Sequence, residues 1–541
     1  MILVICLKLA LGLYGITWGN PDRWDVDDRL TAALRMVSEK TFFYSTVQFA
    51  HPVFYLYFLL AALVPYLVFL KLTGFDFQIA REAASASWLN LTRVCPDLAS
   101  GMLISGRVSS LLLGAGTVLI VFFLARRIYG ARAAIFSAII LTLNVGLLGT
   151  NYLIKNENLA LFLIVLVLYI WSGFSQKEFK YKRFYLSCFL SGLAIGTKLD
   201  SAILLFGIGL MMLHHLRSPI LKISRKTVFI LASCIFLLLG ILAGYPRLIV
   251  PVDAPMGVID GSVKAFSILF SVPTISNIAQ QVRTVALNLA ASFNVVILVF
   301  LVLGIRAFFA RRENFKYPAY PIFSILIPYF FINIFLYRFA ATKFLVLSLP
   351  LLAVLAGLGF ELFWVKMAPR KPARAALSIL TLIYSLFYIV RADMVFAKDD
   401  TRYISTRWMD KNIPAGASIA ILQQPELIFS SFLIGKYRVY YFGERLSYDN
   451  NPYPKMRMTD MKGEAFLKGI SGYDYVVLSS WDRMAFETGT KDTVKETFSG
   501  NSNYELVETV QYDEDLFFNP RPSHTCPTIF IFKTLSKERA S

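Results

Sequence analysis

The stretch from Ser105 to Arg132 reads SGRVSSLLLGAGTVLIVFFLARRIYGAR. Between Arg107 and Arg126 it carries no charge, and then Arg126, Arg127 and Arg132 follow in quick succession. About 20 mostly apolar residues in a helix cross the hydrocarbon core of a bilayer. A cluster of cations at one end marks the cytoplasmic side of such a span. The reading therefore predicts a membrane helix over 105–125 whose C-terminal end is inside.

The same unit recurs in both directions along the chain. Apolar runs at 2–18, 133–149, 158–174, 184–198, 200–214, 227–246, 291–309, 320–337, 344–365 and 375–391 bring the expected total to about eleven spans. Of 541 residues, 56% are apolar and only 16% charged, where soluble domains carry about a quarter charged residues. A soluble enzyme is excluded. Lys and Arg exceed Asp and Glu by 19, which suits either a nucleic-acid surface or the basic ends of spans.

Position decides between these. The clusters Arg126/Arg127/Arg132, Lys177/Lys180/Lys182/Arg183, Arg217/Lys222/Arg225/Lys226, Arg311/Arg312/Lys316 and Lys366/Arg370/Lys371/Arg374 hold 18 basic residues against two acids, Glu178 and Glu313. They account for nearly all of the excess, so no nucleic-acid partner is needed. All five fall on one side if the apolar stretch 52–70 does not cross the membrane. That stretch is accordingly expected to be a juxtamembrane helix at the outer surface. The N-terminus is then cytoplasmic, 19–104 and 247–290 are outer loops, and everything after 391 is outside. The first run has no basic n-region and no small-x-small site after Trp18, which favours a retained span over a cleaved signal peptide.

Beyond Arg391 the composition turns soluble. A helix over 405–412, a turn at Pro414-Ala-Gly, and strands at 418–422, 437–442, 474–478, 506–511 and 528–532, with a helix before Tyr473, predict a small α/β domain over 392–541. Nothing in it has the spacing of a catalytic motif, and its expected role is to select or position an acceptor. The five cysteines show no CxxC pair, and the four histidines are scattered. No metal site is predicted, although paired carboxylates are compatible with a divalent cation.

Ionisable residues gather at the outer ends of the spans: Asp25, Asp27 and Asp28, Lys155 and Glu157, Lys198 and Asp200, Arg247, Arg338 and Lys343. Carboxylates and cations at one interface suit a reaction in which a carboxylate takes a proton from a hydroxyl or amine while cations hold a lipid phosphate. The same residues also suit plainer roles. The aspartates fit a solvated loop or the N-cap of a helix near Arg29, Lys155 a solvated loop charge, and Arg107 and the other cations interfacial anchors. Aromatics such as Phe42, Phe43, Tyr44, Trp88, Trp171, Phe330, Phe331 and Tyr337 fit an interfacial belt or a groove for sugar or isoprenoid.

Five segments in order carry a resemblance. Val26-Asp27-Asp28-Arg29-Leu30-Thr31-Ala32 resembles the acidic-pair motif of membrane glycosyltransferases with the GT-C fold, of the family 39, protein O-mannosyltransferase or aminoarabinose-transferase type. His51-Pro52-Val53-Phe54-Tyr55-Leu56 is similar to the family's His/Lys-Pro-Pro-Leu stretch. Residues 151–162, with Glu157, resemble its second-acid motif, Gly192 to Lys198 its Gly-Leu-Ala-x-x-Thr-Lys segment, and Lys343 to Pro350 its Arg-Tyr-x-x-x-x-x-Pro element. Asp28 stands where Glu is usual, Glu157 where Asp is usual, and Lys343 where Arg is common. A proline that follows the second acid in the family is missing here.

The resemblance implies a GT-C transmembrane domain over 1–391 with its catalytic loop in 19–104. It implies inverting transfer of a sugar from a polyprenyl-phosphate donor (undecaprenyl or dolichyl) to a lipid, glycan or protein acceptor on the outer or lumenal face. In a bacterium that is the outer face of the plasma membrane. Carried over residue by residue, it makes Asp27 the general base, Asp28 its support and Glu157 the second carboxylate. Lys198, Lys343 and Arg338 are then candidates for the lipid phosphate, and His51 and Lys155 for substrate contact. The rival reading from another class is a transporter or flippase of lipid-linked sugars, which calls for polar groups near mid-membrane or on both faces.

Overall fold

The computed structural model describes residues 1–19, 54–79, 94–174, 179–216, 223–245, 275–310, 325–336, 345–421, 436–441, 472–479, 503–513 and 527–535, with a few single residues between them. Each of the eleven apolar runs holds a described helix. In chain order these are α1 (Ile2–Tyr14), α3 (Pro96–Tyr129), α4 and α5 (Ala131–Thr142 and Val145–Asn151), α6 (Asn156–Ser172), α7 (Tyr181–Ile195), α8 (Leu204–Leu216), α9 (Ile223–Gly244), α10 and α11 (Ile275–Phe293 and Val295–Ala310), α12 (Leu326–Phe331), α13 (Leu349–Lys366) and α14 (Lys371–Met394). Among the described residues six helices are long and apolar enough to cross a membrane, or up to eight if each of two bent pairs is one span. The protein is a multi-pass membrane protein.

The run read as one span at 133–149 is broken by an asparagine, and a second asparagine, near the start of the run at 291–309, parts α11 from a helix that reaches back into the stretch read as an outer loop. Asn144 Oδ1 accepts from Leu147 N at 2.8 Å, capping α5 and turning it 56° from α4. Asn294, at φ 59°, caps α11 through Ile297 N at 3.0 Å, and the chain bends by 111° there. Asparagine favours both the N-cap and the left-handed region, so it restarts a helix where hydropathy alone sees continuity. α2 (Phe54–Leu72), expected to lie on the outer surface, is a 19-residue apolar helix long enough to cross. It buries Tyr55, Leu56, Leu59 and Leu63 along one side, and Tyr66 Oη donates to Asp97 O at 3.1 Å.

Small residues set a close helix contact. Gly192 and Gly196 on one helix face Gly240 and Gly244 on another, a glycine every fourth residue on both. A Cβ on Gly192 would meet Ile241 N at 2.6 Å, and one on Gly196 would meet Gly244 Cα at 2.6 Å. Only glycine lets α7 and α9 approach this far, and the approach fixes the turn that follows α7.

After α14 the chain forms α15 (Thr401–Asn412) and a five-stranded sheet: β1 (Ser418–Ile421), β2 (Arg438–Tyr441), β3 (Tyr475–Ser479), β4 (Tyr504–Val510) and β5 (Ile529–Thr534). The order is β2-β1-β3-β5-β4, with β1 parallel to β2 and β3, and β5 antiparallel to β3 and β4. All five strands read from the sequence are present within a few residues. The helix expected before Tyr473 lies outside the described residues. Alternation sends Ile419, Ile421, Val477 and Ile531 to one face with Met409 of α15, and Ala420, Val476, Leu478 and Phe532 to the other. The Pro414-Ala-Gly turn needs Gly416 because its φ is +81°.

Candidate active site

Four of the chemistry-bearing residues, Lys155, Glu157, Lys198 and Asp200, meet where two turns touch. α6 begins at Asn156, and a short 3-10 turn, Leu199–Ile203, follows α7. Asn156 Nδ2 donates to Thr197 O at 3.0 Å, and at the next position Lys198 Nζ donates to Glu157 Oε1 at 2.9 Å. Lys198 also pairs with Asp200 Oδ2 at 3.2 Å. The side chains of Lys198 and Glu157 keep only 12% and 8% of their exposure, so the pair is largely withdrawn from water. Burial works to lower the Lys198 pKa, but Glu157 and Asp200 raise it by more, and the ammonium stays charged. The second oxygen of Glu157, Oε2, is buried with no hydrogen-bond partner among the described residues.

An asparagine network holds this arrangement. Asn158 Nδ2 reaches Thr150 O and Leu153 O, both at 3.0 Å, and its carbonyl oxygen accepts from Asn151 Nδ2 at 3.0 Å. Ser110 Oγ of α3 donates to Leu153 O at 3.2 Å. The turn that presents Glu157 is thereby fixed on three helices.

Of the sequence-read residues, the structure brings together Lys155, Glu157, Lys198 and Asp200. Lys155 is buried at the N-cap of α6 and is not a solvated loop charge. Asp27, Asp28, His51, Arg338 and Lys343 lie outside the described residues. Two described neighbours still approach: Phe54 N, three residues after His51, donates to Gly196 O at 3.4 Å, and the first helix ends beside Tyr152, whose hydroxyl accepts Gly15 N–H at 3.2 Å. Arg107 is 2% exposed, and its Nη1 donates to Ile16 O at 2.8 Å, so it binds the end of the first span and is no snorkelling anchor. Trp171 is neither belt nor groove: it is fully buried, with Nε1 donating to Ser187 Oγ at 2.9 Å.

One of the basic clusters lies at the other end of α6. Arg127 donates from Nη1 to Tyr169 O and Ser172 Oγ, at the opposite end of α6 from Glu157 and about 18–22 Å along the helix at about 1.5 Å per residue. Glu157 and Arg127 thus stand at opposite ends of α6.

Sequence reasoning passed over Lys8, Tyr152 and Asp393. Lys8 is fully buried within the first span and interacts electrostatically with Asp393. The Asp393 carboxylate is hydrogen-bonded to the Tyr152 hydroxyl. A lysine inside an apolar run was the signal available, since a charge there needs a buried counter-charge. Among the described residues no three His, Cys, Asp or Glu side chains converge as metal ligands.

Residues 87–242, which include Arg107, Glu157 and Lys198, match the family model described as dolichyl-phosphate-mannose-protein mannosyltransferase. That match marks the chain as a membrane glycosyltransferase. No curated protein matches it in sequence. Among solved structures this glycosyltransferase is similar to ArnT from Cupriavidus metallidurans bound to undecaprenyl phosphate, at 11% identity and a TM-score of 0.45, covering 98% of this chain and 97% of that one. It is also similar to the apo oligosaccharyltransferase of Archaeoglobus fulgidus, at 11% identity and a TM-score of 0.44, covering 89% and 70%. A third is the arabinofuranosyltransferase AftD from Mycobacteria, at 15% identity and a TM-score of 0.42, covering 99% and 40%.

Proposed function

We propose that this glycosyltransferase moves a sugar from a polyprenyl-phosphate donor to an acceptor hydroxyl or amine at the outer face of the membrane, with inversion. The observation that carries the reading is the buried Glu157 carboxylate, fixed by Lys198 and left with one oxygen unpartnered among the described residues, inside the segment matched by the mannosyltransferase model. The acceptor oxygen or nitrogen attacks the first carbon of the sugar, Asp27 takes its proton with Asp28 in support, and the carbon–oxygen bond to phosphate breaks. The departing phosphate carries the charge that Lys343 and Arg338 answer. Lys198 already serves two carboxylates, so its first task in this reading is to orient Glu157. Glu157 takes a hydrogen bond from a sugar or acceptor hydroxyl, and His51 and Lys155 complete the substrate contacts.

In this reading α2 lies along the outer surface, the N-terminus is cytoplasmic, and the soluble domain from 392 onwards is outside, beside the acceptor. The donor is a dolichyl or undecaprenyl phosphate sugar, according to the host. The test is transfer of radiolabelled sugar from a panel of such donors by the purified protein, with membrane extract as acceptor, comparing wild type with Asp27→Asn. Transfer that disappears in a folded variant supports the reading. Equal transfer by both proteins removes Asp27 from the centre, and no turnover of any donor by a protein that binds polyprenyl phosphate returns the transporter.

A further inference from the structure

The end of the first span is gripped from three directions. Trp18 is fully buried, its Nε1 donates to Asp400 Oδ2 at 3.3 Å, and its ring lies under two guanidiniums, Arg402 at 5.0 Å and Arg107 at 5.5 Å. Gly19 N donates to Tyr403 Oη at 2.7 Å, Arg107 holds Ile16 O, and Tyr152 accepts Gly15 N–H. Asp400 caps α15 through Arg402 N at 2.9 Å and is bound by Arg402 at 2.8 and 2.7 Å, with both side chains wholly buried. A buried ion pair costs desolvation that well-packed apolar residues would avoid, so its stability alone does not explain it. What it provides here is direction: a carboxylate held rigidly by its own arginine, aimed at one indole N–H 382 residues away.

We propose that Asp400, Arg402 and Tyr403, at the head of the C-terminal domain, are positioning residues that set the exit of the first span and so the acidic segment that follows it. The chain leaves this clamp at Gly19 and reaches Asp27 eight residues later. The outer domain is on this account part of the catalytic unit, and loss of the clamp displaces the base without touching substrate. The part concerning Asp27 rests on the function proposed above. The grip on residues 15–19 does not.

The test uses the full chain in lipid nanodiscs carrying Trp18→Phe and Tyr403→Phe, singly and together. Phenylalanine keeps one aromatic ring near the arginines but loses part of the indole along with the N–H, whereas Tyr403→Phe removes only the hydroxyl that accepts Gly19 N–H, so the Tyr403 single variant isolates a lost hydrogen bond from a change of packing. Amide exchange of residues 15–19 is expected to rise about tenfold in the double variant, in line with two lost hydrogen bonds. With a polyprenyl-phosphate sugar, kcat is expected to fall about tenfold or more while the donor KM stays within about twofold, the split that a misplaced base produces. Unchanged exchange overturns the clamp whether or not transfer is observed. Faster exchange with kcat unchanged, or with donor KM rising in step, overturns the positioning role. If wild type transfers no sugar, faster exchange supports the clamp and the function proposed above fails separately.

Discussion

Lys198 and Glu157 are 41 residues apart in the chain and 2.9 Å apart in space, and the pair is matched one position earlier by Asn156 and Thr197. Two turns from different helix pairs are thus zipped together by consecutive residues. The bond from the Asn156 side-chain amide to the Thr197 carbonyl holds their register, and the ion pair places charge at the same spot. Because the ammonium answers both Glu157 and Asp200, the cluster keeps a net negative bias that Lys155, buried alongside, offsets.

Removing one member of this pair leaves its partner buried and uncompensated. Lys198→Met is expected to cost about 3–5 kcal/mol, as broken buried pairs do. The double variant Lys198→Met/Glu157→Gln should recover part of that loss. Denaturant unfolding in detergent gives both numbers, and a double variant no better than the single one would show that the two side chains are not energetically coupled.

The Gly192/Gly240 contact positions Lys198 through the turn after α7. Gly192→Leu is expected to destabilise the protein by about 1–3 kcal/mol through overpacking and to lower transfer activity, since the helices must separate and carry the turn with them. Gly209, inside α8, supplies the control: a Cβ there meets nothing within 4 Å, so Gly209→Ala should not destabilise the protein and can gain up to about 1 kcal/mol of helix propensity. Thermal unfolding together with initial rates separates the two cases.

The raised pKa of Lys198 fixes the sign of its pH dependence. A cation whose folded pKa lies above its unfolded value contributes stability fully below the unfolded pKa, near 10.5 for lysine, and loses it only as pH rises through the folded value. The stability difference between wild type and the double variant Lys198→Met/Glu157→Gln, in which no buried carboxylate is left unpaired by the lost ammonium, should therefore stay flat from about pH 6 to 9. A difference that falls within that window would mean that the ammonium titrates near neutrality, contrary to the two carboxylates around it.

Much of this architecture is legible in the sequence because hydropathy reports burial directly. Each of the eleven apolar runs holds a helix, and the C-terminal strands appear where β-branched and aromatic residues cluster. The breaks at Asn144 and Asn294 were not legible, since a cap is a hydrogen bond between one side chain and a nearby amide, invisible to a window average. The meeting of Glu157 with Lys198 was read only as a shared side of the membrane. Contact across 41 residues depends on how α6, α7 and α9 pack, which the Gly192/Gly196 and Gly240/Gly244 spacing encodes without naming the partner. The clamp on Trp18 left the weakest trace, because no spacing in the sequence links Asp400 to an indole 382 residues away.

Glu157 itself offers the sharpest separation of chemistry from scaffold. Glu157→Gln keeps the shape and still presents an oxygen to Lys198, but it removes the charge and turns one position into a donor. If the open oxygen accepts a hydrogen bond from substrate in the transition state, kcat should fall by about 100-fold or more with modest change in donor KM. Glu157→Asp keeps the charge and withdraws it by one methylene, and should retain more turnover than the glutamine. The reverse order, with glutamine near wild type and aspartate impaired, would mean that the side chain serves to fill and brace the junction of the two turns, with the catalytic charge elsewhere. Initial rates at saturating and limiting donor for the three proteins decide it.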